Sequence, residues 1–156
     1  MNIFLQGLYS FFCVVGFSII FNLPRKLIFI ASINGMFGWM LYAFLQSSGT
    51  SFIVPAFIGS IFVGLVGEFL ASVQKHPATL FIIPGIIPFV PGYGIYYTMY
   101  HIVSQDFETA MTTGAESLFI AISIACGIVL ATSLFRIIRP FTEKFCVFTP
   151  KKNNTI

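Results

Sequence analysis

The sequence predicts an all-α integral membrane protein of about five transmembrane helices, the fourth broken by prolines, with the N-terminus out and the C-terminus in. Three observations carry that prediction. Of 156 residues, 57% are hydrophobic and only 8% are charged, and the mean hydropathy is +0.94, which places the chain among integral membrane proteins rather than soluble domains. Uncharged runs long enough to cross a bilayer recur along its length. The cations sit in short clusters between those runs, so the net charge of +3 reads as membrane-flanking charge, and nucleic acid is not an expected partner. Residues 1–139 are expected to form a single transmembrane domain and residues 140–156 a basic cytoplasmic tail.

Ile3 to Phe21 is the first uncharged run, close to the ~20 residues a spanning helix needs, and Asn22, Pro24, Arg25 and Lys26 end it. No basic residues precede it and no small-residue cleavage pattern follows, so it is expected to stay as an anchor rather than act as a signal peptide. Leu27 to Leu45 is the second span, with Asn34 near mid-membrane, and it ends in the polar turn Gln46 to Thr50. Phe52 to Val73 is the third. Along it Ala56, Ser60, Gly64, Gly67 and Ala71 recur at spacings of three and four, a small-residue stripe that lets another helix approach closely.

The fourth span enters at His76-Pro77 and reaches Pro91. At about 1.5 Å per residue a helix of that length falls short of a ~30 Å hydrocarbon core. Gly92, Tyr93 and Gly94 supply a flexible break, and helical spacing resumes from Ile95 to Ser104, so two half-elements joined at a bend are expected. Asp106 and Glu108 mark a polar loop, and Met111 to Phe135 is the fifth span. With five crossings Arg25, Lys26, Lys75, Arg136, Arg139, Lys144, Lys151 and Lys152 all fall on one face, opposite Asp106 and Glu108. An excess of Lys and Arg on the cytoplasmic side gives the orientation.

The proline-rich stretch is the leading candidate for a small-molecule solute site. Pro84, Pro88 and Pro91 lack N–H groups, so in a helix the carbonyls of Leu80, Pro84 and Ile87 lose their donors. Broken backbone at membrane depth normally lines a cavity or is buried in protein. The bend at Pro91, Gly92 and Tyr93 can present bare carbonyls from one half and open N–H groups from the other, which suits a zwitterion; a dicarboxylate would need further donors. The competing reading is a kinked helix sealed by its neighbours. Tyr93, Tyr96, Tyr97 and Tyr100 share one helical face, consistent with an interfacial aromatic belt, and Tyr93 is nearest the bend.

Glu68 and Glu116 are the carboxylates inside apolar segments, and intramembrane ionisable groups are functional candidates because burying them is costly. Glu68 is the proton-coupling candidate. Asn34 is either a substrate contact or an interhelical hydrogen bond. Enzyme chemistry lacks its residues: HExxH, paired aspartates, GxSxG and CxxC are absent, and no cofactor or metal is expected.

Three motifs carry a family resemblance: GFSIIFNLP (Gly16 to Pro24), KHP (Lys75 to Pro77) and IPFVPG (Ile87 to Gly92). In their order and separations, over about Gly7 to Arg139, they resemble the C-terminal membrane half of the threonine/serine exporter family, above all the short proteins in which that half is a separate chain. The resemblance implies a multi-pass protein of the bacterial plasma membrane that acts with a larger membrane subunit of the same family and exports a small hydrophilic solute. That solute would be threonine or serine, as in fused members, or a dicarboxylate such as succinate, as in some split ones, with proton coupling. It singles out Asn22, Pro24, His76, Pro77, Pro88, Pro91 and Gly92 as family-pattern residues without assigning them roles. A homo-oligomer is the alternative assembly. The rival function is a non-transporting membrane scaffold or stabilising subunit.

Overall fold

In the computed structural model, residues 2–49 and 51–146 are described, the last eight of them by backbone alone. The helices are α1 (Ile3–Ile20), α2 (Arg25–Ser47), α3 (Ile53–Gln74), α4 (Thr79–Ile86), α5 (Gly92–Val103) and α6 (Phe107–Cys146), with a 3₁₀ turn at Ile87–Phe89 between α4 and α5. Among the described residues, α1, α2, α3 and α6 are long and apolar enough to span a membrane. The segments Thr79–Phe89 and Gly92–Val103 make a fifth span if taken together, bent by 51° at the break. The predicted all-α architecture with a broken fourth element is what the chain adopts. The basic tail expected over 140–156 lies largely outside the described residues.

Helix ends explain two of the sequence motifs. Asn22 (φ 55°), Lys75 (φ 56°) and Gln105 (φ 62°) are left-handed without being glycine. After each, the next N–H reaches back five residues: Leu23 to the Ser18 carbonyl (3.0 Å), His76 to Ala71 (3.2 Å) and Asp106 to His101 (2.9 Å). This is the Schellman closure, which satisfies carbonyls that a helix end leaves bare. Leu23, buried beside Leu27, Ala31, Ala71 and Phe81, adds the apolar contact that often accompanies it. Asn22 with Pro24, and Lys75 with His76 and Pro77, thus form the tight turns between α1 and α2 and between α3 and α4. Both turns lie at the end of the bundle that carries Arg25, Lys26 and Lys75.

Packing centres on α3, which lies against α6, α2 and α4, while α1 packs on α2 and α5 on α6. All five members of the small-residue stripe are buried. A Cβ on Gly64 would meet Ala131 of α6 at 2.6 Å, and one on Gly67 would meet Ile82 of α4 at 2.6 Å, so the stripe serves close helix approach on two sides. Side-chain hydrogen bonds tie the helices further: Ser10 donates to Gly35 (3.4 Å), Asn34 to Val63 (3.2 Å) and Ser123 to Ile53 (2.8 Å). The exterior is apolar, with Phe4, Phe12, Ile20, Phe29 and Val129 exposed, as a lipid-facing surface requires.

Two expectations about the backbone are revised. The Ile87 carbonyl is not bare, because the chain tightens into a 3₁₀ turn in which the Val90 N–H donates to it at 3.1 Å. The fifth span does not stop as a helix at Phe135: α6 continues through Pro140 to Cys146. Apolarity limits the part of a helix that can lie in hydrocarbon, whereas the helix itself ends only where its backbone pairing ends.

Candidate functional site

At the break, Pro91 (φ −76°, ψ 56°) is the centre of an inverse γ-turn, with the Gly92 N–H donating to the Val90 carbonyl at 2.7 Å. The ring fixes φ and makes the turn cheap for this residue. Ile95 then donates to the Pro91 carbonyl at 3.0 Å, starting α5. Tyr93 and Gly94 keep the open N–H groups of a first helical turn.

Phe89 is the side chain that holds the break in place. Only 4% exposed, it sits where α2 and α3 both present glycine: a Cβ on Gly38 would come within 3.2 Å of the ring and one on Gly59 within 3.1 Å. Trp39 stacks on Tyr42 with centroids 4.9 Å apart, and Phe89 lies 6.0 Å and 5.7 Å from these two rings. Such spacings are those of favourable aromatic pairs.

The stacked pair borders two chambers, Trp39 one and Tyr42 the other. The first, about 390 Å³, is lined by Gln6, Tyr9, Ser10, Cys13, Trp39 and Pro88. The second, about 260 Å³, has Pro91, Tyr93 and Gly94 on one wall and Thr113, Glu116, Ser117 and Ile120 of α6 on another, with Tyr42 and Phe52 also lining it. A Cβ on Gly94 would meet the Ser117 hydroxyl, so α5 lies close against α6 there. Ser117 in turn donates to the Thr113 carbonyl at 2.8 Å, and Thr98 to the Gly94 carbonyl at 2.7 Å.

The sequence-predicted residues therefore divide. Pro84 is fully buried in α4, and Asn34, 2% exposed, is held in the α2–α3 packing by its bond to Val63, close to Gly85, with its Oδ1 unpaired. Pro88 faces the first chamber; Pro91 and Tyr93 face the second. Gly92 is exposed, with nothing within 4 Å of where a Cβ would stand. Tyr93 is 75% exposed and its ring lies 4.3 Å from that of Tyr97, so the tyrosine face is a surface feature of α5.

At the other end of the bundle Glu68, His76 and Pro77 come together. They line a cavity of about 540 Å³ with Ala71, Ser72, Lys75, Ala78 and Phe135, and Glu68 also borders a smaller one with Thr132, Phe135 and Arg136. Among the described residues no cation is within ion-pairing distance of Glu68. Among the described residues the close histidine–carboxylate contact joins His101 Nδ1 to Asp106 at 3.4 Å, at the opposite end. Asp106 also caps α6, accepting from the Thr109 N–H at 3.2 Å. Hydrogen bonds from the Thr109 side chain and N–H, helped by His101, hold its carboxyl below the usual range.

Sequence reasoning passed over Phe89, Trp39 and Tyr42 and gave Glu116 less weight than Glu68. The Gly38 and Gly59 pair was the available sign for the first: glycines on two neighbouring spans leave room for one large side chain. For Glu116 there was none, because its chamber is assembled from α2, α5 and α6.

A family model described as threonine/serine exporter, ThrE, matches residues 6–134. No solved structure matches the chain.

Proposed function

The chain belongs to the threonine/serine exporter family, a multi-pass membrane family with a transport role, and from that premise we propose that it is one subunit of a split exporter whose solute path runs along the helix break. The observation that supports this reading is a pair of chambers, one bordered by Trp39 and the other by Tyr42, each with polar groups beside a break proline. The solute is threonine, serine or a dicarboxylate such as succinate. The larger subunit of the same family covers the chambers, both of which open at the molecular surface.

The chain resides in the bacterial plasma membrane with the Arg25, Lys75 and Arg136 end in the cytoplasm, N-terminus out and C-terminus in, as the excess of cations at that end favours. Proton coupling is assigned to Glu68, which shares its cavity with His76 at that cytoplasmic end. A second reading, a stabilising subunit that does not transport, has one observation in its favour: Phe89 is seated tightly enough between Gly38 and Gly59 to seal the bundle at the break.

Efflux of labelled threonine, serine and succinate from cells with and without this chain, the larger subunit present in both, separates the two. Loss of efflux without the chain, and in the Pro88→Ala/Pro91→Ala variant at normal protein levels, is the expected result. Unchanged efflux in both would leave the stabilising role.

A further inference from the structure

At the end of the bundle that carries the cations, charged groups of both signs line one cavity without meeting. Glu68 and Lys75 are about two turns apart along α3, with Ser72 between them, and the Schellman turn fixes the backbone of Lys75 and His76 at the rim. The cavity measures about 540 Å³. Glu68 and the buried Phe135 of α6 belong both to it and to an adjoining cleft of about 140 Å³, where Thr132 and Arg136 complete the lining. Glu68 thus shares one space with Lys75 and His76 and the next with Arg136.

Among the described residues none of these charges is paired: no cation lies within ion-pairing distance of Glu68, and no carboxylate within that distance of Lys75 or Arg136. Glu68 is half-buried, and a carboxylate partly removed from water is costly without a counter-charge. One molecule carrying both signs would satisfy all three, its cation at Glu68 and its anion at Lys75 and Arg136. Depth narrows the choice. The clefts lie at the end of the apolar span Ile53–Gln74, and the residues that follow Glu68 and Ser72 on α3, Phe69 and Val73, are exposed, as is Leu134 on α6. A headgroup at that level, with acyl chains along such side chains, is what a bilayer lipid supplies.

We propose that these adjoining clefts hold the headgroup of a phosphoethanolamine lipid, its ammonium donating to Glu68 and its phosphate received by Lys75 and Arg136. A purely anionic headgroup would leave Glu68 facing like charge, and a choline headgroup brings no N–H to it. The inference goes beyond the exporter reading and does not rest on it. An ammonium and a proton are alternative partners of one carboxylate, so the bound lipid would compete with proton coupling at Glu68.

The test is lipid titration of the full chain in detergent micelles, with the bound fraction read by native mass spectrometry. The probes are phosphatidylethanolamine, phosphatidylcholine and phosphatidylglycerol with the same acyl chains, and glycerophosphoethanolamine, the headgroup without chains. Phosphatidylethanolamine is expected to bind about tenfold tighter than the other two lipids, the scale of one charge-assisted hydrogen bond, and the free headgroup far more weakly than the lipid. Glu68→Gln should abolish the preference among the lipids, Lys75→Gln and Arg136→Gln should weaken all three, and Glu108→Gln at the other end should change nothing. Equal binding of the three lipids by the wild type, or tighter binding of phosphatidylglycerol, overturns the inference even if no variant folds. A preference that survives Glu68→Gln overturns it as well, and so does a free headgroup that binds as tightly as the lipid.

Discussion

Helix α4 buries Phe81, Ile82, Pro84 and Gly85 against its neighbours α2 and α3, whereas α5 buries no residue and rests along α6. Neither segment contains Asp, Glu, Lys or Arg, and both are interrupted or flanked by the same proline cluster. The difference is one of shape. Facing α4 and the turn after it are Gly35, Gly38, Gly59 and Gly67, and Gly85 of α4 itself lies against Val63. Facing α5 are Gly114 and the short side chain of Ser117, while Tyr96, Met99 and Tyr100 are carried outward. Apolar composition is enough to put both halves in a membrane, but complementary small residues decide which half becomes part of the bundle.

The strongest way to break this contrast is to remove the ring on the packed side. Phe89→Ala should destabilise the protein by about 3–5 kcal/mol, the range for truncating a buried phenylalanine. Unfolding in detergent micelles would measure it, and an unchanged midpoint would mean that the ring is not seated between Gly38 and Gly59. A matched glycine pair sharpens the same contrast. Gly85→Ala drives a Cβ to 2.8 Å from Val63 and should cost about 1–3 kcal/mol by overpacking. Gly92→Ala meets nothing and should be neutral, or stabilising by up to about 1 kcal/mol through helix propensity. Equal losses in the two variants would erase the distinction between the halves.

Smaller still is Asn34→Ala, which removes the bond to Val63 and should cost on the order of 0.6 to 1.7 kcal/mol, as interhelical hydrogen bonds in membranes do. The smallest effect belongs to the loop after α5. Because the Asp106 carboxyl titrates below its ordinary value of 3.8, its contribution is present above that value and fades as the pH falls through the lowered one. Stability measured through that acid range should show the loss in the wild type and not in Asp106→Asn, in which the cap is uncharged throughout.

Much of this architecture was legible in the sequence. The bend between Pro91 and Gly92 follows from missing N–H groups, and the buried stripe of α3 follows from its spacing, both being properties of one segment. The alternative readings of Asn34 were also visible, and its burial against Val63 favours the structural one. What could not be read were the things made by two segments at once. The Ile87 carbonyl finds its donor through a local 3₁₀ turn that a helical register does not anticipate, and Glu116 faces Tyr93 only because α5 is laid along α6. Asn22 and His76 were noticed as pattern residues, but their place in Schellman turns depends on φ values that composition does not reveal.

The joint at Pro91 and Gly92 also has a mechanical meaning. On one side the pyrrolidine ring removes a rotational degree of freedom, and the Phe89 ring keyed into its glycine slot ties that side to the bundle. On the other, Gly92 opens α5 with its N–H held by the Val90 carbonyl and nothing within 4 Å of where a side chain would stand, and α5 rests along α6. The two halves of the broken span, set at 51° to each other, therefore take their support from different neighbours: α4 from α2 and α3 through the Phe89 slot, and α5 from α6.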